Sequence, residues 1–207
     1  MAPGSGQKRP ATRKGDGYHH GDLRAALLKS AEEIIRDSGL EALTLRACAR
    51  RAGVSHGAPA NHFGNLAGLL TELAAEGFER LAEAMDPKLV KNAQDDLEAA
   101  GLGYIQFAMQ WPEHFRVMWR SELLDENSPR LRLAREHAAQ RLRDALVSAN
   151  SQWSTMPSED ELAARFQAAR CSVHGYASLW VEGPRKSRSL DEARRMLRVL
   201  VPSLVRG

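Results

Sequence analysis

Apolar residues recur at every third or fourth position along most of the chain, and no segment alternates between apolar and polar residues. This spacing is typical of amphipathic α-helices and predicts an all-α protein with about nine helices. The first predicted helix runs from Gly21 to Ser38, with Asp22 as a possible cap, and Gly39 ends it. Its apolar stripe consists of Leu23, Ala26, Leu27, Ala31, Ile34 and Ile35.

Residues 44–63, TLRACARRAGVSHGAPANHF, predict two short helices joined by a tight turn. Thr44 can cap the first of them, and Gly53 supplies the left-handed backbone that often ends a helix. Val54 fills the corner, and Ser55 can cap a second helix that begins at His56. The pattern is that of a helix-turn-helix, in which the second helix enters the DNA major groove. Pro59 is compatible with this prediction because it lies in the first helical turn, and Phe63 is the expected anchor.

The remaining elements divide the chain into a small head and a larger C-terminal domain. A helix from Leu66 to Met85 links the two, and Pro87 marks the boundary. Ser158 and Glu161 form a capping box at the start of one of the later helices. The later helices are expected at about 91–110, after Trp111-Pro112, and at 130–148, 159–182 and 190–205. The predicted organisation is a disordered basic tail (1–17), a DNA-binding head (18–65), a linking helix (66–86) and an effector-binding and dimerisation domain (87–207).

Charge is unevenly distributed between the two parts. Residues 1–65 carry ten Lys and Arg against six Asp and Glu, whereas the whole chain has a net charge of only +3. The positive excess therefore lies with the helix-turn-helix, which favours contact with phosphates. No apolar run approaches the roughly 18 residues that span a bilayer, and the N-terminus has no secretory apolar segment. A cytoplasmic location is expected.

The segment GVSHGAPANHFGNLAGLL, Gly53 to Leu70, resembles the TetR family of bacterial transcriptional regulators. The match keeps Gly53, Val54, Ser55, Phe63 and Leu69. It departs where the family commonly has a Tyr and a Lys that contact phosphate, because this chain has Ala60 and Leu66 there. The segments YHHGDLRAALL and VHGYASLWVEG resemble a subgroup with a Trp-x-x-x-His-Gly signature. His174 and Gly175 match that signature, whereas Arg170 occupies the Trp position.

The turn and the resemblance together predict which residues contact DNA. Residues at the start of the recognition helix are expected to meet bases, while the preceding helix is expected to touch phosphate. Asn can read adenine bidentately. Because dimers of such heads bind two half-sites, the resemblance implies a roughly palindromic double-stranded operator. The predicted contact residues are Thr44, Arg46, Ser55, His56, Gly57, Ala58, Asn61 and His62.

Aromatic and Met side chains concentrate in the middle of the chain. A hydrophobic core accounts for them without further assumption, but the resemblance implies a small, apolar or aromatic effector held between C-terminal helices. Ligand sites of this kind are mostly apolar with a few polar groups. His174 could serve either as a core residue or as a ligand contact. The candidate effector residues are Phe107, Trp111, Phe115, Met118, Trp119, Phe166, Cys171 and His174.

The last two long helices carry apolar stripes at three- and four-residue spacing. Packed in pairs, they would form a four-helix homodimer interface, although the same stripes could belong to a monomer core. The candidate interface residues are Ala169, Val173, Ala177, Trp180, Leu197, Leu200, Val201 and Leu204.

The sequence shows no catalytic constellation, no cofactor motif and no clustered metal ligands. Cys48 and Cys171 are expected to be small buried residues in a reducing compartment. The resemblance implies that His19 and His20 seat the N-terminus near phosphate rather than hold a metal. The favoured function is a homodimeric repressor released by a small molecule. One alternative is a helical small-molecule-binding protein with a degenerate head, suggested by Ala60 and Leu66, and a second is a helical enzyme.

Overall fold

The computed structural model describes residues 20–91, 93–149, 157–183 and 189–205, and all nine α-helices below lie within these ranges. The all-α prediction is confirmed, since the described residues contain no strand. The predicted basic tail lies outside the described residues. Two short 3-10 turns occur at Leu40–Ala42 and Ser121–Leu123. The helices are α1 His20–Ser38, α2 Leu45–Ala52, α3 Ala58–Phe63, α4 Leu66–Ala84, α5 Asp96–Gln110, α6 Pro112–Met118, α7 Pro129–Ala149, α8 Glu159–Glu182 and α9 Leu190–Val205.

Local hydrogen bonds fix the helix-turn-helix. The Thr44 hydroxyl accepts from the Ala47 N–H at 3.0 Å, which caps α2. Gly53 ends α2 with φ 68°, a left-handed conformation that Gly adopts without a Cβ penalty. The Val54 N–H then donates to the Ala49 carbonyl at 3.0 Å, which closes the turn. The predicted helix-turn-helix is therefore present.

The recognition helix α3 is shorter than the sequence predicted. It begins at Ala58 rather than His56, and Gly57 occupies the N-cap position without a side-chain cap. Ser55 is therefore not the cap, although its carbonyl accepts from the Ala58 N–H at 3.0 Å. Pro59 lies in the first turn, where its missing N–H has no intrahelical partner to lose.

Two other predicted helix starts differ from the structure. Helix α1 begins at His20, so Asp22 lies inside the helix and is not its N-cap. Helix α5 begins at Asp96 rather than near Lys91, because the Asp95 side chain accepts from the Glu98 N–H at 2.8 Å and caps it there.

Helix α5 forms the centre of the C-terminal domain. It packs against α4, α6, α7, α8 and α9, and almost all of its residues from Leu97 to Ala108 are buried. Gly103 permits the closest of these approaches, because a Cβ there would lie 1.9 Å from the Ala84 carbonyl oxygen at the end of α4. Helices α8 and α9 pack on α5 and have little contact with each other. No helix in the described ranges is long and apolar enough to cross a membrane.

Candidate DNA-binding surface and effector cavity

Most of the predicted DNA-contact residues are exposed in the head. His62, at the end of α3, is half-buried. Ala58 is an exception, since it is only 8% exposed and packs into the head, so its side chain cannot reach a base. Ala60, two residues later, is exposed on the helix instead. The exposed members of the predicted set are Thr44, Arg46, Ser55, His56, Gly57 and Asn61.

Cationic side chains on α2 differ in their availability to phosphate. Arg51 donates to the Asp37 carboxylate at 2.6 Å and is therefore committed within the head. Arg46 and Arg50 lie one turn apart and are exposed, and no described carboxylate lies within 4.0 Å of either. Arg50 was not among the predicted contacts, although its basic charge and i, i+4 spacing from Arg46 could have indicated it.

Helix α3 is anchored to the head by its last residue. Phe63 is only 8% exposed, and the Arg24 guanidinium of α1 lies 5.7 Å from the centre of its ring. A six-residue helix has little stability of its own, so its orientation depends on this packing.

The C-terminal domain contains a cavity of about 540 Å³ between α4, α6, α7 and α8. This volume is within the range of small-molecule sites. The wall from α4 is apolar, and the Phe78 ring meets the Trp119 ring edge-on at 5.2 Å. Charged side chains of α7 and α8 line a different part of the cavity wall. The lining residues include Phe78, Leu81, Met85, Tyr104, Met118, Trp119, Glu126, Arg135, Glu136, Leu142, Arg143, Phe166 and Arg170.

Only three of the eight predicted effector residues line this cavity, namely Met118, Trp119 and Phe166. Phe107 and Phe115 are buried in the core and do not form its wall.

Trp111 and Cys171 also lie outside this cavity. Trp111 lies towards the head, where the Arg80 guanidinium stacks 3.6 Å from its ring centre. Cys171 is exposed rather than buried, because it lies on the side of α8 that points away from α5. Cys48 is buried as expected, and burial raises its pKa to about 11.

His174 does not line the cavity but packs against Trp119, which does. Its ring packs on Trp119 at 4.7 Å, and its Nδ1 lies 3.0 Å from the Tyr104 hydroxyl. Burial and then the nearby Arg170 lower the pKa of His174. The neutral ring can accept a hydrogen bond from the Tyr104 hydroxyl at Nδ1 and donate one from Nε2 to the Ser178 hydroxyl at 3.4 Å. This arrangement fixes the orientation of Trp119.

The charged lining of the cavity is not fully neutralised. Arg135 makes a bidentate pair with Glu126. Arg143 and Arg170 instead lie over the Phe166 ring, 4.7 and 5.9 Å from its centre. No carboxylate within the described ranges lies within 4.0 Å of either guanidinium. Three arginines against two glutamates, Glu126 and Glu136, leave the lining with one excess positive charge, which can bind an acceptor group on a ligand.

The predicted dimer stripe is mostly part of the protomer core. Its buried members face α5 because α8 and α9 each use their apolar stripe to cover that helix. Only Trp180 and Leu200 are half-buried. The buried members, which cannot form an exposed interface, are Ala169, Val173, Ala177, Leu197, Val201 and Leu204.

The opposite faces of α8 and α9 are exposed and partly apolar. Leu179 on α8 is 63% exposed, and Val199 on α9 is 78% exposed. Gly175 also lies on the exposed face of α8, where an added Cβ would meet nothing within 4 Å. Small residues continue this face at helical spacing, namely Ala164, Ala168 and Cys171.

Comparison with known protein families identifies both parts of the chain. Residues 27–73 match the family described as bacterial regulatory proteins, tetR family. Residues 97–204, just over half of the chain, match the tetracyclin repressor-like C-terminal domain. No curated protein matches the chain at a significant level.

Solved structures share the fold over nearly the whole chain. A protein of unknown function from Rhodococcus sp. RHA1 is 27% identical with a TM-score of 0.73, covering 93% of this chain and 98% of its own. The TetR family transcriptional regulator PfmR from Thermus thermophilus is 19% identical with a TM-score of 0.62, covering 87% and 97%. NalD, the secondary repressor of the MexAB-OprM multidrug efflux pump in Pseudomonas aeruginosa, is 23% identical with a TM-score of 0.59, covering 91% and 100%.

Proposed function

Because the chain belongs to the TetR family of transcriptional regulators, we propose that it is a homodimeric repressor that a small molecule releases from its operator. The head (18–65) binds DNA, and the helix over 66–86 links it to the C-terminal domain (87–207), called the body below. The body binds the effector and the second subunit. The proposal is carried by two observations together. Arg46 and Arg50 on α2 are exposed with no described carboxylate within 4.0 Å, and the C-terminal domain holds a cavity of about 540 Å³. The protein acts in the cytoplasm, where its operator is.

DNA recognition is proposed to combine phosphate contacts with limited base reading. Arg46 and Arg50 meet the backbone, whereas Asn61 reads a base edge. Ser55, Gly57 and Ala60 are also exposed around α3 and are small, so its backbone can approach the groove floor closely beside the larger His56. Two heads in a symmetric dimer would read a roughly palindromic operator.

Replacement of Arg46 by alanine tests DNA binding. We expect the Arg46→Ala variant to bind all duplexes more weakly and its salt slope to fall by about one unit, because one phosphate contact is lost. The measurement is fluorescence anisotropy at several salt concentrations, with a duplex that the full-length protein has selected from a random library. Arg132→Ala, which removes an exposed arginine of α7, is the matched control and should leave affinity unchanged.

The same experiment separates the proposal from its main alternative. Failure of the wild-type protein to select any duplex would favour a ligand-binding protein with a degenerate head. Unchanged affinity and slope in Arg46→Ala would remove Arg46 from the contact surface but leave the regulator function standing.

The homodimer is proposed to form through the outward faces of α8 and α9. Gly175 supports this placement, because a Gly inside a helix costs about 1 kcal/mol relative to Ala and no described residue of its own chain lies close enough to require it. A second helix packed against this face would require it. Leu179 and Val199 would then be buried between subunits.

The effector is proposed to have an apolar or aromatic body and an anionic group. Phe78, Leu81 and Trp119 would contact the body. Arg143 and Arg170 would bind a carboxylate, since an arginine without an acidic partner gains a charge-assisted hydrogen bond from such a ligand.

Matched pairs of aromatic or aliphatic acids and their amides test the effector class. We expect an acid to raise the melting temperature of the wild-type protein more than its amide does, because ligand binding to the native state stabilises it. In Arg143→Gln/Arg170→Gln this preference should disappear, and Arg132→Gln should retain it. Equal shifts for acids and amides in the wild-type protein would contradict the anionic class.

A further inference from the structure

Three potential metal ligands from three helices meet at the junction between the head and the C-terminal domain. Glu32 lies on α1, Glu76 on α4 and His114 on α6, and one ligand atom from each lies within 4.8 Å of the others. The His114 Nε2 lies 3.7 Å from Glu32 Oε1 and 4.0 Å from Glu76 Oε2. These separations are too long for hydrogen bonds.

Among the described residues, no polar group other than these carboxylates lies near the His114 ring nitrogens. The His114 side chain is 0% exposed, and neither ring nitrogen has a hydrogen-bond partner there. A buried polar group left unsatisfied costs about 1–3 kcal/mol, so a group of this kind at a junction points to a ligand or ion that satisfies it. The ring lies beside the two carboxylates, and Arg80 occupies only the other oxygen of Glu76, Oε1.

We propose that Glu32, Glu76 and His114 bind a divalent transition-metal ion, for which Zn²⁺ is the best match. Ligand atoms at about 2.1 Å from a tetrahedral Zn²⁺ would lie about 3.4 Å apart, which is close to the two observed separations from Nε2. One imidazole nitrogen and two carboxylate oxygens suit Zn²⁺ better than Mg²⁺ or Ca²⁺, which prefer oxygen ligands alone. The two carboxylates offset part of the charge of the ion, and Glu76 shares its own charge with Arg80.

Access and coordination number agree with this assignment. Glu32 and Glu76 line an open cleft of about 710 Å³ between α1 and α4, through which an ion can enter from solvent and water can supply the fourth ligand. Glu79 and the cations Arg24, Lys29, Arg80 and Arg130 also line this cleft, so an entering ion passes a lining of mixed charge. His114 closes the inner side of the site.

The position of the site gives the ion a regulatory role. Because α1 belongs to the head and α6 to the body, a bound ion would fix one relative placement of the two. Only this regulatory consequence rests on the proposed DNA-binding function, whereas metal binding does not depend on it.

Zn²⁺ titration of the chelator-treated full-length protein tests the site. Calorimetry should show a site in the wild-type protein that Glu32→Gln and Glu76→Gln weaken by at least about tenfold, since each variant removes a charged ligand. Zn²⁺ should also raise the melting temperature of the wild-type protein more than that of either variant. Glu33→Gln is the matched control, because Glu33 is also half-buried on α1 but lies 3.9 Å from Arg51 and outside the site.

The variants distinguish this site from incidental binding by other histidines or by Cys171. The two ligand variants avoid the fully buried His114, so the test does not depend on a core substitution. Equal Zn²⁺ affinity in the wild type, Glu32→Gln and Glu76→Gln, or no saturable binding to the wild type, would overturn the proposal and leave His114 as the partner of the two carboxylates. A wild-type protein that binds Zn²⁺ here but no DNA would retain the metal site and reject the proposed function.

Discussion

The Val199→Glu variant is expected to be monomeric and to bind its operator at least about 100-fold more weakly than the wild-type protein. Val199 is 78% exposed in the single chain, so the substitution should not disturb the protomer core. In a dimer through α8 and α9 the new carboxylate would be desolvated without a partner, at a cost of about 3–5 kcal/mol. The loss of operator affinity follows because linkage of two heads raises avidity by about 10²–10⁴.

Light scattering on the purified variant measures its mass, and anisotropy measures its operator affinity. Leu133→Glu is the matched control, because Leu133 is 62% exposed on α7 and lies away from the proposed interface. This control should remain dimeric. A dimeric Val199→Glu variant with normal operator affinity would place the interface elsewhere on the body.

The Gly103→Ala variant should lose about 3 kcal/mol of stability, a large value for one methyl group. The added Cβ would lie 1.9 Å from the oxygen and 2.6 Å from the carbonyl carbon of Ala84. Both are backbone atoms, so no side-chain rotation can relieve the contact, and α4 must move away from α5. For a domain of this size the melting temperature should fall by roughly 6–12 °C.

Thermal denaturation followed by circular dichroism measures this effect. Gly57→Ala is a suitable control, because Gly57 has an ordinary negative φ and no atom lies within 4 Å of an added Cβ. Its melting temperature should change little. A Gly103→Ala variant as stable as the wild type would show that α4 and α5 can separate at low cost.

Local features of the fold could be predicted because they depend on neighbouring residues. Thr44 and Ser158 are predicted as caps, and each accepts a hydrogen bond from the N–H three residues later. The bounds of α8 and α9 also agree with the apolar periodicity. The start of α5 was missed because the apolar pattern continues upstream, through Val90 and Ala93, past the actual cap.

Tertiary partners could not be predicted in the same way. The stripe containing Val173 and Leu197 indicates that one face of each helix is buried, but periodicity does not say whether α5 or a second subunit covers it. The sequence also does not show which aromatic residues line the cavity and which lie in the core. Phe115 and Trp119 are close in sequence, but only Trp119 lines the cavity. No sequence pattern predicts that charged side chains of α7 line the cavity, because an exposed arginine on an amphipathic helix is typical of a solvated face.

The cluster of Glu32, Glu76 and His114 could not be predicted from any sequence pattern. Its members come from three helices that are distant along the chain, so no ligand spacing indicates them. Metal-site motifs can be recognised in sequence only when at least two ligands lie within a few residues of each other.

Helix α4 can act as a lever between the cavity and the DNA. Its 19 residues span about 28 Å at 1.5 Å per residue. Leu81 lies at its cavity end, while Leu66 and Leu69 lie at its head end. A rotation of about 5° around the cavity end would move the head end by about 2.5 Å over that length. In a symmetric pair the two displacements add to about 5 Å, which is more than the roughly 3.4 Å between successive base pairs. A small pivot within each protomer would therefore change the distance between the two recognition helices, so that it no longer matches the distance between successive major grooves.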